Sequence, residues 1–482
     1  MLDLRPVGYV IGLTAMALGL AMLLPLLVDI AQGRGHWHVF AQSCILTILI
    51  GGLVAGASRN GVGEGLTIRQ TFLLTTGVWV VLPLFGALPF MLGATALDFT
   101  DAVFEAMSAL TTTGSTVIIG LDHLPKGILL WRGIMQWLGG VGIIVVAMVF
   151  LPELRVGGMQ IFRAEAFDTM GKILPRATEI ASRISVIYLA LTIACTLSYV
   201  MTGMTPFDAT VHAMTTVATG GMANYDASFG ALHPSAEYVA VVFMMLSALP
   251  FVRYVQLLAG TTRPLLFDPQ VHGFFKTVGC IVGVLTVWQF FQREHLTEET
   301  FREVLFNVVS IITGTGYASE DYMLWGPFAV SIFFFTGLIG GCAGSTACSV
   351  KIFRYQLLFA SIRVQLARIR SPHGVFTPRY GGRNVDADVL NSVMSFFVFF
   401  TVTLGVIAVL LGLTGLDFTT ALSGAATALG NIGPGLGDKI GPSGNFATLG
   451  DTSKWILSAA MLIGRLEVLV VYAIFTVSFW RN

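Results

Sequence analysis

Asp101-Ala-Val-Phe-Glu-Ala-Met-Ser-Ala-Leu-Thr-Thr-Thr-Gly114-Ser115 joins a short amphipathic segment to a threonine- and glycine-rich turn. The arrangement returns in Asp208-Ala-Thr-Val-His-Ala-Met-Thr-Thr-Val-Ala-Thr-Gly220-Gly221 and in Phe301-Arg-Glu-Val-Leu-Phe-Asn-Val-Val-Ser-Ile-Ile-Thr-Gly-Thr-Gly316-Tyr317. It returns once more in Asp417-Phe-Thr-Thr-Ala-Leu-Ser-Gly-Ala-Ala-Thr-Ala-Leu-Gly-Asn-Ile-Gly433-Pro434. Phe99, Phe301 and Phe418 each lie fifteen residues before Gly114, Gly316 and Gly433, and Thr205 holds the matching place before Gly220. The glycines recur at intervals of 106, 96 and 117 residues (114 to 220 to 316 to 433).

Each segment lies between two long apolar runs. A helix needs about 20 apolar residues to cross a bilayer. Runs of that kind occupy 7–30, 39–57, 71–92, 129–151, 180–202, 238–258, 274–291, 389–413 and 455–479, with a shorter one at 325–339. They predict about ten crossings. The chain of 482 residues is 55% hydrophobic and only 11% charged, against about a quarter charged in a soluble domain. Lipid is the solvent that fits. The run at 7–30 is longer than the apolar part of a secretory signal, about 7–15 residues, and more spans follow it, so it reads as a first transmembrane helix. Lys+Arg and Asp+Glu balance at 27 each, which gives no basic field for nucleic acid.

Local charge fixes an orientation. Arg59, Arg69, Arg155, Arg163, Lys172, Arg176, Arg183, Arg263, Lys276, Lys351, Arg354, Arg363, Arg368, Arg370, Arg379 and Arg383 fall in loops on one side, together with both termini. By the positive-inside rule that side is cytoplasmic. The opposite loops carry Asp98, Asp101, Glu105, Asp122, Asp208, Glu294, Glu298, Glu299, Glu320, Asp321, Asp417 and Asp438. Such an acidic mouth would concentrate cations, although any single one of these residues reads equally well as an ordinary solvated loop residue.

The segment before each glycine is about 10–14 residues long, too short to span. It would enter from outside and return as extended chain. Non-helical backbone at membrane depth is tolerated only where it is buried or lines water. Every copy starts on the same side, so the repeat is parallel, and four parallel copies can surround one axis. A dehydrated potassium ion needs oxygens in place of its water shell, which backbone carbonyls supply. Successive carbonyls turned the same way require dihedrals that suit glycine. The short helices would aim their negative C-terminal ends at the cation. The expected fold is therefore all-α, with four helix–pore-loop–helix repeats at 66–160, 161–265, 266–375 and 376–482, preceded by two extra N-terminal helices at 1–65.

These motifs resemble the Trk/Ktr/HKT superfamily of cation channels, most of all its bacterial TrkH/TrkG potassium-uptake branch. The stretches that carry the resemblance are 111–116, 218–222, 313–317 and 431–437, with Gly340-Gly-Cys-Ala-Gly-Ser-Thr346 and Gly464-Arg-Leu-Glu467. The two extra N-terminal spans favour this branch over the shorter KtrB type. The resemblance implies potassium uptake across the bacterial inner membrane, a homodimer with one pore per subunit, and a cytoplasmic ring of TrkA-like nucleotide-binding subunits. It implies potassium as the transported ion and no organic cofactor in this chain. It carries the filter onto Thr112, Thr113 and Gly114, Ala218, Thr219 and Gly220, Thr315 and Gly316, and Asn431, Ile432 and Gly433. Glycine in all four copies favours potassium, since a serine in the first repeat goes with sodium permeation in some plant relatives. No copy reads TVGYG, so selection is expected to be less sharp than with four identical loops.

Two further features stand out. Arg465 lies near the middle of the run at 455–479, where a charge costs at least about 2.5–3.5 kcal/mol. The resemblance agrees with a positive charge beneath the filter that slows permeation; the bland reading is a buried ion pair. Glu467 is two residues on and points to another helix face. The second feature is the stretch 337–348, with Gly337, Gly340, Gly341, Gly344, Ser345 and Thr346, which should unwind into a mobile loop and act as the gate. Its plain alternative is a small-residue packing seam. The basic run from Lys351 to Arg370 reads as inside anchoring or as a docking surface for the ring. Cys44, Cys195, Cys280, Cys342 and Cys348 form no CxxC pair and read as small packing residues; His36 and His38 read as a wet interfacial loop. An ion-coupled symporter is the alternative transport reading, but it would use a midplane site between repeats that are inverted, not parallel. No HExxH or GxSxG motif suggests an enzyme.

Overall fold

The computed structural model describes residues 3–33, 35–61, 66–146, 177–293 and 297–481. Arg155, Arg163, Lys172, Arg176 and Glu294 lie outside the described residues. Among the described residues, seven helices are long and apolar enough to cross a membrane, or eight if a bent pair counts as one. They begin with Arg5–Ala31, Trp37–Gly61, Ile68–Leu92 and Lys126–Val145, and continue with Ala181–Met201, Pro269–Arg293 and Ala387–Leu413. Their outer faces remain apolar. Val398, Val402, Val406 and Val409 are all exposed on Ala387–Leu413, a pattern that suits lipid and not water. The described residues are otherwise loop and shorter helix. The exceptions are a two-residue hairpin, Arg379–Tyr380 paired with Arg383–Asn384, and a bridge between Ile339 and Val350.

The remaining three apolar runs are broken. Ser235–Ser247 and Phe251–Leu258 meet at 86°, at Ala248-Leu249-Pro250, where proline removes a helical donor. Pro327–Gly337 ends at the glycine-rich stretch, and the next helix, Ile352–Arg370, begins only after it. Asp451–Arg465 stops before Leu469–Ile474, with Glu467 and Val468 held at φ 60° and 43°. The first two breaks have proline or glycine at the site. The third follows from tertiary pairing: Glu467 turns out of the helix to meet Arg354, an ion pair buried beside Phe396.

Four short helices lie between the spans: Phe99–Leu110, Pro206–Val217, Glu298–Ile312 and Phe418–Gly430. They are called pore helices one to four below. Each is capped by a side chain that accepts an orphan N–H three residues on: Asp98 from Asp101, Thr205 from Asp208, Thr297 from Thr300 and Asp417 from Thr420. Such caps fix where each helix starts. The third starts one turn earlier relative to its glycine.

The N-terminal hairpin is docked onto the first repeat by a buried pair. Asp29 is fully buried. Its Oδ2 is 2.8 Å from His36 Nδ1, and its Oδ1 accepts the Gly127 N–H at 2.8 Å. The Ala94 N–H donates to His36 Nε2 at 3.0 Å, which assigns the proton to Nδ1. His36 is thus a bonded connector between elements and not part of a wet loop.

Candidate pore and filter

The four turns share one backbone register. The amides of Thr113, Gly220, Thr315 and Ile432 donate to the carbonyls of Ser108, Thr215, Ser310 and Thr427 at 2.9, 2.9, 2.9 and 3.0 Å. One residue before these, φ is left-handed at Thr112 (53°), Thr219 (50°), Gly314 (72°) and Asn431 (50°). One residue after, it is left-handed again at Gly114 (90°), Gly221 (75°), Gly316 (80°) and Gly433 (114°). The counterpart of Gly114, Gly316 and Gly433 is therefore Gly221. Gly220 is level with Thr113, Thr315 and Ile432, and Ala218 is level with Thr111. The sequence match to the first of two adjacent glycines places the second copy one residue early.

The glycines are packed against one another in a closed circuit. A Cβ on Gly114 would collide with the Gly220 carbonyl oxygen, one on Gly221 with that of Thr315, and one on Gly316 with that of Ile432. A Cβ on Gly433 would lie 2.9 Å from the Thr113 carbonyl oxygen, which closes the ring from the fourth copy to the first. Hydrogen bonds tie the same neighbours. Ser115 Oγ donates to the Gly433 carbonyl at 2.8 Å, and Asn431 Nδ2 donates to Thr113 Oγ1 at 3.0 Å. Gln136 Nε2 donates to the Gly220 carbonyl at 2.6 Å. Above the ring opens a cavity of about 280 Å³ that all four glycines line.

Behind the first turn lies a fully buried ion pair. Glu105 accepts from Arg132 Nε at 2.8 Å, from Thr116 Oγ1 at 2.9 Å and from the Val117 N–H at 3.0 Å. Arg132 also donates to the Ala223 carbonyl at 2.8 Å, so it links the first copy to the second. Glu105 is thus not a solvated acid of the outer mouth. The pair carries the usable sequence signal of a charge inside an apolar run, Arg132, with a carboxylate in the pore helix before it. At the outer end of pore helix three, burial and the neighbouring Glu320 carboxylate push Glu303 up to about 7, against the pull of Arg293.

Beneath the ring, residues 338–351 are non-helical as the glycines predict, but they are fastened and not loose. Cys342 and Thr346 donate their amides to the Ala248 and Ser247 carbonyls at 3.0 and 3.3 Å, and Gly344 accepts the Phe251 N–H at 2.9 Å. These partners are the free backbone groups at the break in the second repeat. Ser349 N–H donates to the Gly430 carbonyl at 3.0 Å, and Gly340 N–H to the Val350 carbonyl at 2.8 Å. Cys348 reaches the inner end of the turns. Its Sγ is 3.9 Å from Thr112 Oγ1, and its N is 3.5 Å from where a Cβ on Gly314 would lie. The expected gate residues Gly337, Gly340, Gly341, Gly344, Ser345 and Thr346 are all buried in this loop or at its entry.

Arg465 meets the loop from the other side. It is 3% exposed. Its Nη1 lies against Cys348 Sγ, and its Nη2 donates to the Gly139 carbonyl at 3.0 Å. Trp79 lies beneath, with its ring centre 5.5 Å away. The neighbouring Glu467 is engaged by Arg354. The company of Arg465 is thus a carbonyl, a sulfur and an aromatic ring.

Residues 36–480 match the family model TrkH, described as a cation transport protein. The chain is 44% identical to the Trk system potassium uptake protein TrkI of Halomonas elongata, over 99% of this chain and 97% of that protein. It is 35% identical to the TrkH protein of Escherichia coli, over 99% of both. It superposes on the crystal structure of the potassium transporter TrkH from Vibrio parahaemolyticus with a TM-score of 0.91, at 34% identity and with full coverage of both chains. With the spans, the four in-register turns and these likenesses together, the chain belongs to the TrkH family of cation transport proteins.

Proposed function

We propose that this chain conducts potassium through the axis encircled by Gly114, Gly221, Gly316 and Gly433, as part of a multi-pass potassium uptake system in the bacterial inner membrane. The observation that carries this reading is the closed circuit of left-handed glycines. Alternating left-handed and ordinary φ turns neighbouring carbonyls to one side, and four such strands supply the oxygens that replace the ion's hydration shell. The filter comprises Thr112, Thr113 and Gly114, Thr219, Gly220 and Gly221, Thr315 and Gly316, and Asn431, Ile432 and Gly433. Each pore helix directs roughly half a negative charge from its C-terminus toward the ion.

The loop at 338–351 is the closure beneath the filter, and Arg465 is a fixed positive charge that raises the barrier below it. The relatives are named as proteins of a Trk system, which supports other components of such a system as partners; the cytoplasmic nucleotide-binding ring is the one the family resemblance implies. The basic helix Ile352–Arg370 continues directly from the loop, so a partner docked there would pull on the closure. A homodimer with one pore per subunit, both termini cytoplasmic, and repeat boundaries near residues 65, 160, 265 and 375 complete the proposal.

Potassium and sodium flux through the purified chain in liposomes tests it. Potassium flux should exceed sodium flux at equal driving force. Equal fluxes, or none with the loop deleted from a folded protein, would overturn the filter reading.

A further inference from the structure

Cys348 is held at a junction that packing alone does not explain. Its sulfur lies against Arg465 Nη1, contacts Thr112 Oγ1 at 3.9 Å and lies 3.6 Å from the Thr346 carbonyl. Beside it is a cavity of about 30 Å³, lined among others by Ser345, Lys351 and Arg465. That is room for one or two molecules the size of water. The second observation concerns an atom of Arg465 that does not meet the sulfur. Arg465 Nε is buried without a hydrogen-bond partner, and an unmet donor at this depth is costly. The junction thus holds a thiol, space for one small oxygen species, and a donor with nothing to bind.

We propose that Cys348 is a modification site for hydrogen peroxide, and that its oxidation tightens the block beneath the filter. The thiol sulfur attacks one peroxide oxygen. An S–O bond forms as the O–O bond breaks. The departing hydroxide takes the thiol proton and leaves as water. Sulfur loses two electrons, peroxide gains them, and the product is a sulfenic acid, which dithiols reduce back. The added oxygen accepts from Arg465 Nε. The loop, the guanidinium and the inner end of the filter are then joined by one more bond. The effect on conduction rests on the reading that this loop closes the pore; the chemical step does not.

The experiment uses the full chain in liposomes. Peroxide is added, and sulfenic acid is trapped with dimedone and located by peptide mass spectrometry. Potassium flux is recorded before peroxide, after it, and after dithiothreitol. The expected result is an adduct on Cys348, a several-fold fall in flux, and recovery on reduction. In Cys348→Ser the flux ratio with and without peroxide should stay at one, whatever its basal flux. Absence of the adduct from conducting parent protein overturns the proposal, and the trapping needs no variant to fold. Equal inhibition of Cys348→Ser overturns it as well. An adduct that forms without changing flux overturns the tightening, and points to a failure of the loop reading and not of the chemistry.

Discussion

Gly220 and Gly221 are chemically identical neighbours, and their surroundings separate them. Gly221 has φ 75°, and a Cβ there would strike the Thr315 carbonyl oxygen. Gly220 has no left-handed φ, and a Cβ there meets the side chain of Gln136. A side chain can move where a ring carbonyl cannot. Gly221→Ala should therefore reduce potassium-over-sodium discrimination severely and Gly220→Ala only mildly; relative permeability measured in liposomes checks the order. The reverse order would return the filter position to Gly220. Arg465 belongs to the same scale. At ~8 Å and an effective dielectric constant near 20, its repulsion of a cation is roughly 2 kcal/mol. Arg465→Ala should raise potassium flux by up to about 30-fold, and Arg465→Lys should stay near the parent. Flux through folded protein at fixed driving force decides; no gain would make Arg465 a structural anchor of the loop.

At the scale of elements, the broken helices act together. The loop at 338–351 satisfies backbone groups that the break at Ala248-Leu249-Pro250 leaves open, and Gly430 at the end of pore helix four holds its far end. Unwound chain at membrane depth persists when other elements complete its hydrogen bonds. Deleting several residues between Gly340 and Thr346 should raise basal potassium flux and reduce dependence on the proposed cytoplasmic partner. Flux at the parent level from a well-folded deletion would make the stretch a packing seam. The glycines at 337, 340, 341 and 344 made the unwinding legible in the sequence. They did not show that the loop would be fastened, because its partners lie about a hundred residues away.

At the scale of the whole molecule, contacts between copies hold the ring. Arg132 of the first copy bonds the Ala223 carbonyl of the second, and Ser115 of the first bonds Gly433 of the fourth. Removing one partner of a buried ion pair costs about 3–5 kcal/mol, whereas replacing both by apolar groups of similar volume can be neutral. Glu105→Ala should lower the thermal midpoint of purified protein and broaden ion selectivity. Glu105→Leu combined with Arg132→Met should recover most of the stability. A Glu105→Ala protein as stable as the parent would show that the pair is idle.

Composition, the apolar runs and the four threonine–glycine turns were enough to determine a membrane protein with parallel repeats around one axis. Hydrophobic length and local turn chemistry are properties of neighbouring residues, and sequence records them directly. Capping by Asp98, Thr205, Thr297 and Asp417 was equally local. The register of the second turn, the position of Glu105 behind the first turn, the break at Glu467 and the contact of Cys348 with Arg465 were decided only by the tertiary structure. Each depends on which distant carbonyl, carboxylate or guanidinium is brought alongside. A polar group at membrane depth must find such a partner because lipid supplies none.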